Sequence, residues 1–314
     1  MVDITTSTPK IRSSWFNVRG WRDLIIGAPY GWLIIFFLIP FMIVIAMSLA
    51  RTAMTSPPFE FLPSWPYGRF DSYYRIVNDS LYIRSFGTSL LNAAVATVLS
   101  LLLGYPMALG ITRVKKSTQK YLLMLVILPF WTSFLLRVYA WIGLMGSNSW
   151  FNKTLTWIYN GLVPESWAVA SIQMMNTNFA VVLVMVYSYL PFMILPLYAN
   201  LEKLDNTLNE AAMDLGSKPW QVFKDVTLPL SIPGIIAGGL LVFIPASGEL
   251  LIPSLVGNPS SPMIGRVLQN EFATAHDWPM ASALAVALLI LLVAPLMFYN
   301  YFEAKAQSTG DAKP

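Results

Sequence analysis

The stretch Glu202-Lys-Leu-Asp-Asn-Thr-Leu-Asn-Glu-Ala-Ala-Met-Asp-Leu-Gly-Ser-Lys-Pro-Trp-Gln-Val-Phe-Lys-Asp-Val-Thr-Leu-Pro229 is the one dense run of mixed charge in a chain otherwise poor in charge. Thr207 followed three residues later by Glu210 has the spacing of a capping box, which predicts a helix from about Leu208 through Ala211, Ala212, Met213 and Leu215. Gly216 is placed to end that helix, and Pro219 to open a second short one carrying Trp220, Val222 and Phe223. The expected product is a helix–turn–helix. Its small Ala211–Ala212 pair would let another backbone come close, while Met213 and Leu215 offer apolar anchors.

On both sides of this loop the chain turns apolar. Of 314 residues, 56% are hydrophobic and 11% charged, against about 25% charged in an ordinary soluble domain. Together with a mean hydropathy of +0.58, this excludes a soluble enzyme and a disordered chain. A bilayer core of about 30 Å requires about 20 apolar helical residues, and six charge-free stretches meet that need. They are 24–50, 85–112, 121–145 (interrupted by Arg137), 178–200, 226–248 and 278–302. The fold class is therefore an all-α membrane protein with six transmembrane helices. Residues 168–175 are expected to form an interfacial helix outside the membrane.

Lys and Arg set the orientation. With both termini cytoplasmic, thirteen of the 20 basic residues fall inside, and the short loop Arg113-Val-Lys-Lys-Ser-Thr-Gln-Lys120 has four bases and no acid. Residues 1–23 then form a cytoplasmic tail. Within it, 11–21 mixes Arg12 and Arg19 with Trp15, Phe16 and Trp21 as a helix in the headgroup layer would. Residues 24–302 form the six-span domain, with the loop 202–229 between spans four and five, and 303–314 are a second cytoplasmic tail. The apolar run after Arg22 is too long for a cleavable signal. Prolines crowd 189–196 and 244–253, which suggests broken helices.

Several chemistries are absent from the residue list. No Cys and a single His276 leave no thiolate zinc site, no iron–sulfur cluster and no Cys nucleophile, and no metal site is expected. No G-x-x-x-x-G-K-[ST] loop occurs to cradle a nucleotide, and no paired carboxylates or Ser–His pair lies inside the spans. The basic residues sit at span ends without a nucleic-acid motif, so no nucleic-acid partner is expected.

The spacing Glu210-Ala211-Ala212, three residues, Gly216, nine residues, Val226, one residue, Leu228-Pro229 resembles the EAA loop of ABC-importer permeases of the binding-protein-dependent type I family. Val226 stands where Ile is usual. The resemblance implies the type I permease fold, in which this loop is the cytoplasmic coupling helix. Glu210, Ala211, Ala212, Asp214, Leu215 and Gly216 would then meet an ATPase subunit. It further implies a second related permease, two ATP-binding subunits, an extracytoplasmic binding protein and a bacterial cytoplasmic membrane. This chain would be non-catalytic and bind no cofactor, with ATP and Mg used by the ATPase partners. Three further segments resemble the polyamine (putrescine/spermidine) branch: Leu128-Pro-Phe-Trp-Thr-Ser-Phe-Leu-Leu-Arg-Val-Tyr-Ala-Trp141, Phe243-Ile-Pro-Ala-Ser-Gly-Glu249, and Met263-Ile-Gly-Arg266 with Asp277-Trp-Pro279.

A polyamine alternates ammonium groups with methylenes, so its path calls for carboxylates interleaved with aromatic faces. Acids toward the outer half are few: Glu249, Glu271 and Asp277, with Glu165 in a loop. Glu249 leads because it ends a span inside a Gly- and Pro-interrupted segment. Trp131, Tyr187 and Tyr189 are the aromatic candidates, whereas Trp141 and Tyr198 suit the interfacial belt. Arg137 would repel a cation, and is expected to snorkel to headgroups or pair with a loop acid. Within the same superfamily the solute could instead be an opine, an aminophosphonate or iron. A stand-alone secondary carrier would need buried ion-coupling charges and an inverted repeat, of which only Leu128-Pro-Phe130 against Leu190-Pro-Phe192 gives an echo.

Overall fold

In hydrocarbon no water competes for backbone groups, so a spanning segment must satisfy every N–H and C=O within itself, and long apolar runs become helices. The computed structural model describes residues 18–61 and 70–310. The tail at 1–10, most of the interfacial helix expected at 11–21, and residues 311–314 lie outside the described residues.

Helix α1 (Val18–Leu33) continues through a π-helical turn, Ile34–Leu38, into α2 (Ile39–Ser48). A two-residue hairpin follows, in which β1 (Arg51–Thr52) pairs antiparallel with β2 (Phe59–Glu60). After α3 (Asp71–Asn78), Asp79 starts the long α4 (Ser80–Arg113) by accepting the Leu81 N–H at 2.8 Å. Then come α5 (Lys116–Ile127), a 3-10 turn at Leu128–Trp131, and α6 (Phe134–Met145). The axes of Lys116–Trp131 and Phe134–Met145 differ by 88°. Helix α7 (Trp150–Leu162) is external to any apolar run, and α8 (Asn178–Leu201) begins where Thr177 Oγ1 accepts the Ala180 N–H at 3.1 Å.

The mixed-charge loop contains α9 (Asn206–Asp214) and α10 (Pro219–Val222), followed by a π turn at Phe223–Thr227 and the single turn α11 (Leu228–Leu230). Helix α12 (Ile232–Ser247) leaves at 63° to Pro219–Leu230. The chain closes with α13 (Leu251–Val256), α14 (Ile264–Gln269), a π turn at Asn270–Thr274, and α15 (Trp278–Gly310). Ile25–Ser48, Ser80–Arg113 and Asn178–Leu201 are each long and apolar enough to cross a membrane. Both bent pairs also qualify when each is taken whole, and Trp278–Val293 is a shorter apolar stretch.

Three sequence expectations need correction. Residues 168–175 form no helix; the helix between α6 and α8 is α7, which Ser149 caps by accepting the Phe151 N–H at 3.2 Å. The prolines at 191 and 196 do not break α8, which is continuous, whereas the proline-rich 244–253 segment does break between α12 and α13. In the loop, Asp205 and not Thr207 is the cap: its Oδ1 accepts the Thr207 N–H at 3.0 Å and α9 starts two residues early. Asp and Thr both cap well, and the residue earlier in the chain captured the free N–H first. Helix α15 continues eight residues beyond 302, where the charge-free run ends.

The core is a trio, α4, α8 and α12. Water does not drive helices together inside lipid, so close packing must do it, and small residues make that possible. Ala93, Ala96 and Ala108 on α4 and Ala246 on α12 are fully buried against Met185, Met193 and Leu197 on α8. At Gly238 a Cβ would lie 2.9 Å from Met193 Sδ and 3.0 Å from the Met193 carbonyl, so only glycine admits this crossing. Helix α2 rests on α15 at the periphery, with its apolar side chains facing outward as a lipid-facing helix requires.

Candidate coupling surface and permeation site

The mixed-charge loop folds by local capping, then is fastened to the core. Gly216 adopts φ +88°, a left-handed turn costly for any residue with a Cβ, and this lets the Gly216 and Ser217 N–H groups close on the Met213 and Ala212 carbonyls at 2.9 and 3.1 Å. The Lys218 N–H is taken by Gln221 Oε1 at 2.7 Å, with Pro219 in the first turn of α10. Thr227 Oγ1 donates to Asn209 Oδ1 at 3.2 Å and so ties the two arms together. Phe223 stacks on Trp220 and meets Tyr105 of α4 edge-on at 5.7 Å. The Tyr105 hydroxyl in turn bonds Ser231 Oγ at 2.9 Å at the start of α12.

Anchored in this way, the loop presents an open surface. Glu210, Ala211, Asp214, Leu215 and Gly216 are exposed and Ala212 is half-buried. Leu215 is 88% exposed and Trp220 69%, which for apolar side chains on a polar loop marks a contact face. At its flank, Lys116 Nζ donates to Glu202 Oε1 at 2.6 Å. That bond holds the Glu202 carboxyl below its ordinary value.

Glu249 and Tyr189 come together although sixty positions separate them. Glu249 Oε1 accepts the Leu250, Leu251 and Ile252 N–H groups at 3.1, 2.9 and 3.4 Å, capping α13, and Oε2 accepts the Tyr189 hydroxyl from buried α8. Aromatic rings extend the cluster: Tyr189 lies 6.2 Å from Phe192, which lies 4.9 Å from Phe130. Arg137 Cζ sits 5.8 Å over Phe130 and 5.5 Å over Phe134. Tyr187 packs on Trp141 at 5.6 Å and borders an apolar cavity of about 320 Å³, while Trp131 stands 76% exposed at the 88° bend. The result is a carboxylate at the end of a chain of aromatic faces. Arg137 pairs with no loop acid among the described residues, and its Nε and Nη1 are buried without a partner.

Glu271 and Asp277 belong to a different cluster. Glu271 Oε1 accepts the Tyr82 hydroxyl at 3.0 Å. Asp277 caps α15 through the Met280 N–H at 3.0 Å, takes Thr52 Oγ1 at 2.5 Å, and pairs with Arg75 at 2.9 Å. The hydrogen bond to Asp277 holds the Arg75 guanidinium above its ordinary value. Sequence reading missed Arg75 and Thr52, which lie more than two hundred positions from their partner and give no local signal. Among the described residues no group of three or more His, Asp or Glu side chains is placed to hold a metal.

Residues 96–307 match the family described as the binding-protein-dependent transport system inner membrane component, and the chain belongs to that family. It is a multi-pass membrane protein homologous to permease subunits of ABC transporters. It is 37% identical over 284 residues to the spermidine/putrescine transport system permease protein PotB of Haemophilus influenzae, covering 90% of this chain and 93% of that one. The PotB of Escherichia coli is 36% identical over 270 residues, 86% of this chain and 93% of its own. The fold is shared with a bacterial alginate ABC transporter solved in complex with an alginate pentasaccharide-bound periplasmic protein: TM-score 0.65, 19% identity, covering 92% of this chain and 96% of that one.

Proposed function

We propose that this chain is the transmembrane permease subunit of an ATP-driven importer of polyamines such as putrescine and spermidine. It spans the membrane six times with both termini cytoplasmic, pairs with a second related permease, and receives solute from an extracytoplasmic binding protein. Its loop at 202–229 docks on one of two ATP-binding subunits, which use ATP and Mg. This chain performs no bond chemistry and holds no cofactor. The observation that carries this proposal is the anchored, outward-facing loop, whose exposed Leu215 and Trp220 need a partner and whose Phe223–Tyr105–Ser231 fastening leads into two helices of the core trio. The kinship with spermidine/putrescine permeases favours a polyamine.

Closure of the ATPase pair would draw this loop and its counterpart together, and the fastened helices would follow as levers. The Glu249–Tyr189 pair with Phe192 and Phe130 offers an ammonium a carboxylate and the methylenes a set of ring faces, each cation–π contact adding about 0.5–2 kcal/mol. Glu271, Asp277 and Tyr187 would serve as outlying contacts on the way, with Trp131 at the rim where the two permeases meet. Glu249→Gln separates charge from capping, because the amide oxygen still accepts the α13 N–H groups. Uptake of labelled putrescine and spermidine by the reconstituted complex is expected to collapse in this variant with assembly intact; undiminished uptake removes the carboxylate from the path.

A further inference from the structure

Arg137 is the one strongly charged group in the described core that this chain leaves unanswered. Its Nε and Nη1 have no acceptor, its guanidinium rests on Phe130 and Phe134, and beside it opens the cavity of about 320 Å³ lined by Thr132, Leu136, Trp141 and Tyr187. Its depth follows from α8. That helix has 24 residues, about 36 Å at 1.5 Å each. Phe130 packs on Phe192 and Trp141 on Tyr187, residues near the middle of α8, so the segment bearing Arg137 is pinned far from either end. Headgroups are therefore out of reach from either side. Nor does this chain supply the anion: no Asp or Glu occurs between Asp79 and Glu165, or between Glu165 and Glu202, and the Glu249 oxygens bond Tyr189 and the start of α13 rather than Arg137.

The surface around Arg137 is equally unfinished. Trp131 is 76%, Leu136 64% and Tyr139 57% exposed. At an interfacial depth such aromatics would be belt residues, but in mid-membrane hydrocarbon the Tyr hydroxyl, the indole N–H and the guanidinium would all lack partners. Exposed Trp and Tyr beside a half-buried Arg are the residue types that dominate protein–protein contacts. A carboxylate fits the planar fork of N–H donors, where a lipid tail does not.

We infer that Arg137 forms an ion pair within the membrane with an Asp or Glu of the second permease subunit, and that the Trp131–Tyr139 face is the surface on which that subunit seats. This rests on the proposed pairing of two permeases. One charge of the pair in each chain makes neither chain complete alone, which would favour assembly of unlike over like subunits.

Tagged chain is co-expressed with the second permease and the ATPase, and recovery of the second permease is measured. Arg137→Glu and Arg137→Gln are expected to lower recovery roughly tenfold or more, with Arg137→Lys between them and wild type. Replacing the membrane-embedded acids of the second permease one at a time by Lys is expected to restore recovery with Arg137→Glu at one position. Because the chain has no cysteine, a Leu136→Cys variant labelled with benzophenone-maleimide gives an independent readout in an otherwise native complex. It is expected to yield an adduct of this chain with the second permease. If the wild-type chain recovers no second permease, the proposed function fails. If wild type pairs but Arg137→Glu pairs equally well, the inference is overturned. So it is if no charge reversal rescues, if the photoadduct is lipid alone, or if Leu136→Cys in the assembled complex reacts freely with a membrane-impermeant maleimide.

Discussion

At the 63° bend before Ile232 the polar side chains find partners inside this chain, whereas at the 88° bend before Phe134 the guanidinium of Arg137 does not. Both bends follow a Leu-Pro step, at Leu128-Pro129 and Leu228-Pro229. At the first, Thr132 Oγ1 reaches only the Pro129 carbonyl, at 2.7 Å, and the outer face is left open. The second is closed by side chains from three elements: Ser231 Oγ meets Tyr105 and the Leu228 carbonyl, and Thr227 holds Asn209. A bend that must pass a loop's displacement on to the spans has to be stiff. One whose partners come from another chain is finished only on assembly.

That contrast can be broken. The largest effect is expected from Ser231→Val, which leaves the buried Tyr105 hydroxyl unpaired at a cost of about 1–3 kcal/mol, read as a lowered unfolding midpoint. Thr132→Val, the matching change at the open bend, is expected to stay within about 0.5 kcal/mol. Equal shifts would erase the distinction. Gly216→Val forces a β-branched residue to φ +88° and is expected to cost about 1–2 kcal/mol locally. Its readout is loss of transport-coupled ATPase stimulation with the spans still inserted; normal stimulation would detach the turn from coupling. The smallest effect concerns Lys116–Glu202. A carboxyl held below its ordinary value stabilises at neutral pH, and that contribution disappears as pH falls through the lowered value. Unfolding midpoints of wild type and Lys116→Met should therefore converge in acid, and a constant gap would assign the effect to something other than Glu202.

What the sequence disclosed depended on how far apart the deciding residues lie. The start of α8 near Asn178 was legible because a span needs about 20 apolar residues, which leaves the first part of the charge-free run outside it. The loop's turn at Gly216 and restart at Pro219 were equally legible, being written in adjacent residues. The bends were not, since charge-free runs locate spans without saying whether their axes are straight. Glu249 and Tyr189 were each singled out, yet nothing in either neighbourhood announces their bond. Asp277 was picked as a path carboxylate on scarcity of acids, and its ties to Arg75 and Thr52 depend on tertiary approach alone.

Those ties have an effect on the chain as a whole. Thr52 and Arg75 fasten the segment after α2 to the start of α15, and α2 lies along α15, so the end of the one helix meets the start of the other and the two run antiparallel. A chain cut at the hairpin between β1 and β2 is therefore expected to keep α2 on α15, because Thr52 and Arg75 still grip Asp277 from either side of the cut.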